Sequence, residues 1–162
     1  MNVHLTRVCA TLHRLTLGVC LSLLVLLLFS QVAIVALRYC FGVGFLELQD
    51  FSAYVFASLV TLSIPVALVA DRHVRVDVLR ERQSPGLQLV IDNAGIILLL
   101  LPVFILSIYL VYPDIAYAWQ IREGSRETGG LGGVYLIKTL FPLSCVLMIL
   151  QGINSILLRR AH

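Results

Sequence analysis

The residues of this sequence that can bind a metal, attack a carbonyl or relay a proton are few and scattered. Its four cysteines, Cys9, Cys20, Cys40 and Cys145, show no C-x-x-C spacing and have no histidine partner placed for a shared site. They offer neither a zinc site nor a redox pair, and read as small apolar side chains in or beside helices. The four histidines, His4, His13, His73 and His162, all lie outside the apolar runs. Haem in a membrane bundle needs axial ligands that project inward from helices, and none is available there. No Ser/His/Asp or Cys/His set can be assembled within one leaflet. Asp92 is the one carboxylate that enters an apolar stretch. The residues thus predict no catalytic group, no cofactor site and no metal site.

The elements that would position these residues account for the scarcity. Of 162 residues, 59% are hydrophobic and 13% charged, with a mean hydropathy of +0.95, against about 25% charged in a soluble domain. A helix that spans the hydrocarbon core needs about 20 apolar residues. The sequence holds four such runs. The first, Leu15 to Leu37, is bounded by Arg14 and Arg38, and the second, Phe51 to Ala70, by Asp50 and Asp71. The third runs from Asn93 to Pro113, with the helix starting near Leu87 and Asp92 in its first turns. The fourth, Thr139 to Leu158, is opened by Lys138 and closed by Arg159 and Arg160. Continuous runs of this length are helices rather than barrel strands, which alternate. The first is too long for a signal-peptide core and no A-x-A-like site follows it. The expected fold is an all-α membrane protein, 1–162 as a single domain, with helices over about 15–37, 51–70, 87–112 and 137–158.

Basic residues set the expected orientation. Arg7, Arg14, Arg72, Arg75, Arg80, Arg82, Arg159 and Arg160 fall on one side, which makes eight; Arg38, Arg122, Arg126 and Lys138 fall on the other, which makes four. The positive-inside rule then places both termini in the cytoplasm. Tyr109, Tyr112, Tyr117 and Trp119 gather at the opposite interface, as an aromatic belt does. The net charge of +3, without a Lys/Arg run interleaved with aromatics, excludes nucleic acid as a partner. The third loop, Asp114 to Gly133, is the longest. Its four glycines in five residues, 129–133, require a flexible or tightly turning backbone. Gly18 and Ser22, and Ala53 and Ala57, are small-x-x-x-small pairs that suit helix packing, either within the bundle or against another subunit. Pro65 should kink or loosen the second helix.

Four segments, in order, resemble the small permease subunit of tripartite ATP-independent periplasmic (TRAP) transporters, the DctQ-like family. They are Arg38-Tyr39 followed by Leu46-Glu47-Leu48-Gln49-Asp50; Asp71-Arg72-His73-Val74-Arg75-Val76-Asp77-Val78-Leu79; Ala118-Trp119 followed by Glu123-Gly124-Ser125; and Phe141-Pro142-Leu143 with Leu147 to Gln151. The second is the most specific. Leu46 stands where the family usually has Trp, Asp71 or Arg72 where Gly is commoner, and Gly132-Gly133 where a Pro often follows Gly-Leu.

The resemblance implies a bacterial inner-membrane scaffold subunit for sodium-coupled uptake (symport) of carboxylate-bearing organic acids. Its partners would be a large permease subunit, a periplasmic substrate-binding protein and membrane lipid. The candidate contact residues are Arg38, Glu47, Asp50, His73, Arg75, Asp77, Asp92, Glu123 and Ser125. Each also has a plainer reading. Glu47 and Asp50 suit the N-terminus of the second helix. His73, Arg75 and Asp77 suit a positive-inside anchor. Asp92 suits an interfacial carboxylate, its functional reading being a partner for Arg72 or Arg75 or for a charge on another subunit, and Glu123 and Ser125 suit a solvated loop. Two other functions stay open on the residues alone: a stand-alone four-helix carrier, and a membrane anchor for an electron-transfer complex.

Overall fold

The computed structural model describes residues 2–69, 85–125 and 129–159. Among these residues are four helices long and apolar enough to cross a membrane. Helix α1 is Asn2–Cys40 and α2 is Leu46–Val69. Helix α3 runs Pro85–Gly95, passes through a π-helical turn, Ile96–Leu100, and continues as Leu101–Gln120. Helix α4 is Val134–Arg159. The four expected spans are present, but the outer two are longer than their apolar runs. Helix α1 continues through Arg14 and Arg7 because arginine is a good helix former whose charge can reach water beyond the hydrocarbon. Helix α3 continues past Pro113, since one proline within a long helix removes a single backbone bond. His73, Arg75 and Asp77 lie outside the described residues.

The two kinds of helix have different jobs. Their spanning segments are 35 residues in α1 and α3 and 24 residues in α2 and α4, about 52 and 36 Å of helix. Helices α2 and α4 pack together at the centre, α1 lies mainly on α2, and α3 on α4. The apolar side chains of the outer helices point away from the bundle: Phe29, Leu98 and Leu99 are each about two-thirds exposed or more. The interior instead holds Ser30, Ser52, Ser58, Ser144, Gln151 and Asn154, with Cys9, Cys20 and Cys145 among the buried apolar groups. All four cysteines are free thiols, and Cys40 is exposed while Cys145 is buried. This inversion follows from the solvent. Lipid tails are as apolar as leucine, so close packing and interhelical hydrogen bonds, not burial of hydrocarbon, hold the helices.

Neutral hydrogen bonds join the helices, and three of them are short clasps. Gln31 Nε2 donates to Ser52 Oγ at 2.6 Å, linking α1 to α2. Gln151 Nε2 donates to the Cys9 carbonyl at 3.1 Å, linking α4 to α1 at the end that carries the termini. The third has a cause legible in the sequence. Pro65 has no N–H, so the carbonyl four residues earlier, on Thr61, loses its helical donor. The Ser144 hydroxyl of α4 donates to that carbonyl at 2.7 Å. Farther along α4, Gly152 lets the π-helical turn approach: a Cβ there would lie 3.0 Å from Leu100 Cδ2 and 3.4 Å from Ile96 Cγ2. The wide turn ends at Leu101, whose N–H bonds to the Ile96 carbonyl, directly before Pro102.

The Gly18/Ser22 pair is not internal packing. Both residues are exposed, and a Cβ on Gly18 would meet nothing within 4 Å. Ala53 is likewise exposed. Ser58 and Ser63 bond to their own helix, at the Tyr54 and Val60 carbonyls.

Ser144→Ala should therefore leave the Thr61 carbonyl bare and lower stability by about 1 kcal/mol. In a Pro65→Ala background, which restores the missing N–H, the same substitution should cost little. Reversible unfolding in mixed micelles of the four members of this cycle checks the coupling. Equal costs in both backgrounds would refute it.

Candidate loop platform

The candidate functional site is built at the end of the bundle opposite the termini, where α1 turns into α2 and α3 into α4. Helix α1 closes at Gly42, in the left-handed region at φ 67°, with the Val43 N–H returning to the Leu37 carbonyl at 3.1 Å. Helix α3 closes in a Schellman motif. The Glu123 N–H reaches the Ala118 carbonyl at 2.9 Å and the Arg122 N–H reaches that of Trp119 at 3.3 Å. Arg122 holds the left-handed position, φ 47°, that glycine usually takes there.

Beyond Arg122 the chain forms a small hairpin. Gly124 and Gly132 pair as an antiparallel bridge, and the Ser125 N–H donates to the Leu131 carbonyl at 3.0 Å. Helix α2 grips this hairpin by one peptide group at each side of Leu131. Asp50 Oδ2 accepts the Leu131 N–H at 2.9 Å, and the Tyr54 hydroxyl, one turn on, donates to the Leu131 carbonyl at 2.7 Å. Tyr54 also contacts the Ser125 side chain. Gly130 is required by this closeness: a Cβ there would sit 2.5 Å from Asp50 Oδ2 and from Ser125 Cβ. Gly129 and Gly133, at φ 86° and 105°, make the turns on either side.

A second tie fixes the hairpin to α3 and α4. Lys138 Nζ lies 2.7 Å from Glu123 Oε2 and 3.0 Å from Asp114 Oδ2, so one ammonium joins both helices and the loop. Beside it the rings of Trp119 and Tyr135 meet edge to face, with centroids 4.7 Å apart. The described residues of the platform are held by two anchors. Its carboxylates are spent inside the chain, Asp50 on Leu131 and Glu123 and Asp114 on Lys138, and among the described residues no set of three or more His, Cys, Asp and Glu side chains could hold a metal.

The structure brings Asp50, Glu123 and Ser125 together. Exposed Arg38, in the last turn of α1, and exposed Glu47, in the first turn of α2, flank them at the same end. Asp92 is half-buried in α3, toward the end that carries the termini. Two expectations change. Asp50 does not cap α2, because the helix begins at Leu46 and its second-turn carboxylate is taken by Leu131. Glu123 and Ser125 are not in a solvated loop, because both are half-buried and tied down. The glycine run is a tight turn. Tyr54, Leu131, Lys138 and Asp114 were not among the candidates. The i, i+4 spacing of Asp50 and Tyr54 was the available signal, since it puts both on one face of α2.

Asp50→Ala should leave the Leu131 N–H without its acceptor and speed amide exchange across residues 124–132 about tenfold, whereas Asp50→Asn, which keeps an acceptor, should change it little. Gly130→Ala should loosen the hairpin at least as much as Asp50→Ala. Hydrogen-exchange mass spectrometry reads all three; unaltered exchange in Asp50→Ala would show that the carboxylate does not hold the loop.

Residues 24–162 match the family model for tripartite ATP-independent periplasmic transporters, DctQ component. No curated protein and no solved structure matches significantly.

Proposed function

The chain belongs to the DctQ component family of tripartite ATP-independent periplasmic transporters, and from that premise we propose that it is a non-catalytic scaffold for the large permease subunit. In this reading the complex takes up carboxylate-bearing solutes by sodium symport across a bacterial inner membrane, with a periplasmic binding protein delivering the substrate. Both termini lie in the cytoplasm and the loop platform faces the periplasm, where it meets that binding protein. The whole chain, 1–162, acts as one domain.

One observation carries the scaffold role. The central turns of the four spans contain no Asp, Glu, Lys, Arg or His. Carriers coupled to an ion gradient commonly use ionisable side chains or unwound backbone inside the spans. Here the buried polar groups are neutral, and several are spent between helices: Ser144 on Thr61, Gln151 on Cys9 and Gln31 on Ser52. The chain's ionic groups lie toward the ends. At the loop end they are used to fix a surface, with Lys138 closing on Glu123 and Asp114.

The contact residues follow from the same placement. Arg38, Glu47, Asp50, Glu123 and Ser125 serve the periplasmic face, with Asp50 and Ser125 acting through the shape of the hairpin. Asp92, with His73, Arg75 and Asp77 from outside the described residues, serves contacts on the cytoplasmic side.

A tagged chain should co-purify with a large multi-span permease. Uptake in proteoliposomes should require that permease and the binding protein, with solute transport absent from the small chain alone. Asp50→Ala should lower uptake several-fold at limiting binding protein while leaving co-purification intact. Asp92→Asn should act on assembly rather than on turnover of the assembled complex. Solute uptake by the chain alone, abolished by Asp92→Asn, would establish a carrier and overturn the scaffold.

A further inference from the structure

One face of α1 is shaped without a function inside the chain. An open groove of about 480 Å³ runs along it from Arg14 past Gly18, Val19 and Ser22 to Leu26. Gly18 lines the groove, and packing within the chain does not call for a glycine there, because a Cβ would meet nothing within 4 Å. Its polar atoms are already used: the Ser22 hydroxyl donates to the Gly18 carbonyl of the same helix at 3.0 Å. The floor therefore suits hydrocarbon rather than a polar ligand. At one end stands Arg14, exposed, with no carboxylate in ion-pair reach among the described residues. Arg14 to Leu26 spans about 18 Å of helix, close to the depth of one leaflet's hydrocarbon, about 15 Å.

We propose that this groove binds one anionic phospholipid, its phosphate on the Arg14 guanidinium and an acyl chain along Gly18 and Ser22. Cation at the interface, apolar channel below it and a length of one leaflet match the two ends of such a molecule. The guanidinium is suited to phosphate geometry, and basic side chains at the membrane surface favour anionic lipids. Arg14, Gly18 and Ser22 precede the residues that match the family, which begin at Leu24. The site therefore does not rest on the scaffold reading. Helix α3 supplies an internal comparison. It carries an open apolar groove of about 510 Å³, lined by Ile105, Ile108, Tyr109, Leu110, Tyr112 and Pro113, with no cation.

The full chain, with any protein that co-purifies, can be placed in phosphatidylcholine vesicles carrying a trace of photoactivatable phosphatidylglycerol or phosphatidylcholine, and its adducts mapped by mass spectrometry. Residues 15–26 should be labelled about fivefold more by the phosphatidylglycerol probe, and residues 105–113 equally by both. Arg14→Gln should abolish the preference. Gly18→Leu should fill the groove and reduce labelling there by either probe, with residues 105–113 unchanged. Equal labelling of 15–26 by the two probes, or a preference that survives Arg14→Gln, would mean ordinary annular lipid and overturn the proposal. So would a crosslink from Val19→Cys to a co-purifying helix, because a protein would then fill the groove.

Discussion

In hydrocarbon no water is available to complete a backbone hydrogen bond, so each proline in a span obliges another group to respond. Pro65 shows this most directly. It frees the Thr61 carbonyl, and here a donor from a neighbouring helix, Ser144, satisfies it. The local defect thereby becomes a tertiary contact and ties together the two central helices. Pro102 is accommodated differently. The π-helical turn just before it widens the helix, and the widened segment is the part of α3 that closes on Gly152. In both places a chemical necessity in one helix fixes where a second helix must lie.

That constraint also explains the bundle's inverted interior. Leucine and phenylalanine gain little by facing another helix instead of lipid, so most of them face outward, although Leu62 and Leu147 are buried. Small side chains that permit close approach, and neutral polar ones that bond across the gap, occupy the inside. The central position of α2 and α4 follows, for the buried serines and Gln151 are concentrated on them. The outer helices can be longer because their length is not set by a facing neighbour along its whole extent.

Much of this was legible in the sequence, and the limits were physical. Span number follows from apolar runs alone. Span ends do not, because Arg7 and Arg14 stop the apolar run without stopping the helix. Pro65 announces a carbonyl in need of a donor but not which residue provides it, since Ser144 lies 83 positions from Thr61. Asp50 looked like the start of α2 because the apolar run begins after it, whereas its partner is Leu131, 81 positions away. Periodicity cannot report such a pairing. Composition gave the need for glycine in the third loop. The hairpin's geometry shows why Gly130 in particular admits no side chain.

The distribution of charge bears on how such a protein behaves in an energised membrane. A buried ionisable group changes its interactions when it gains or loses a proton or a counterion, and that change can be used to do work. A hydroxyl on a carbonyl, or an amide on a carbonyl or a hydroxyl, has no such second state at physiological pH. The clasps among α1, α2 and α4 are of this neutral kind. Their strength is indifferent to the ion gradient, so the bundle has little reason to rearrange as a gradient is consumed. The ion-paired contacts around Lys138 are at the loop end, where they set the shape of a surface instead of the state of a pathway. A body held by such contacts is what the proposed scaffold role requires.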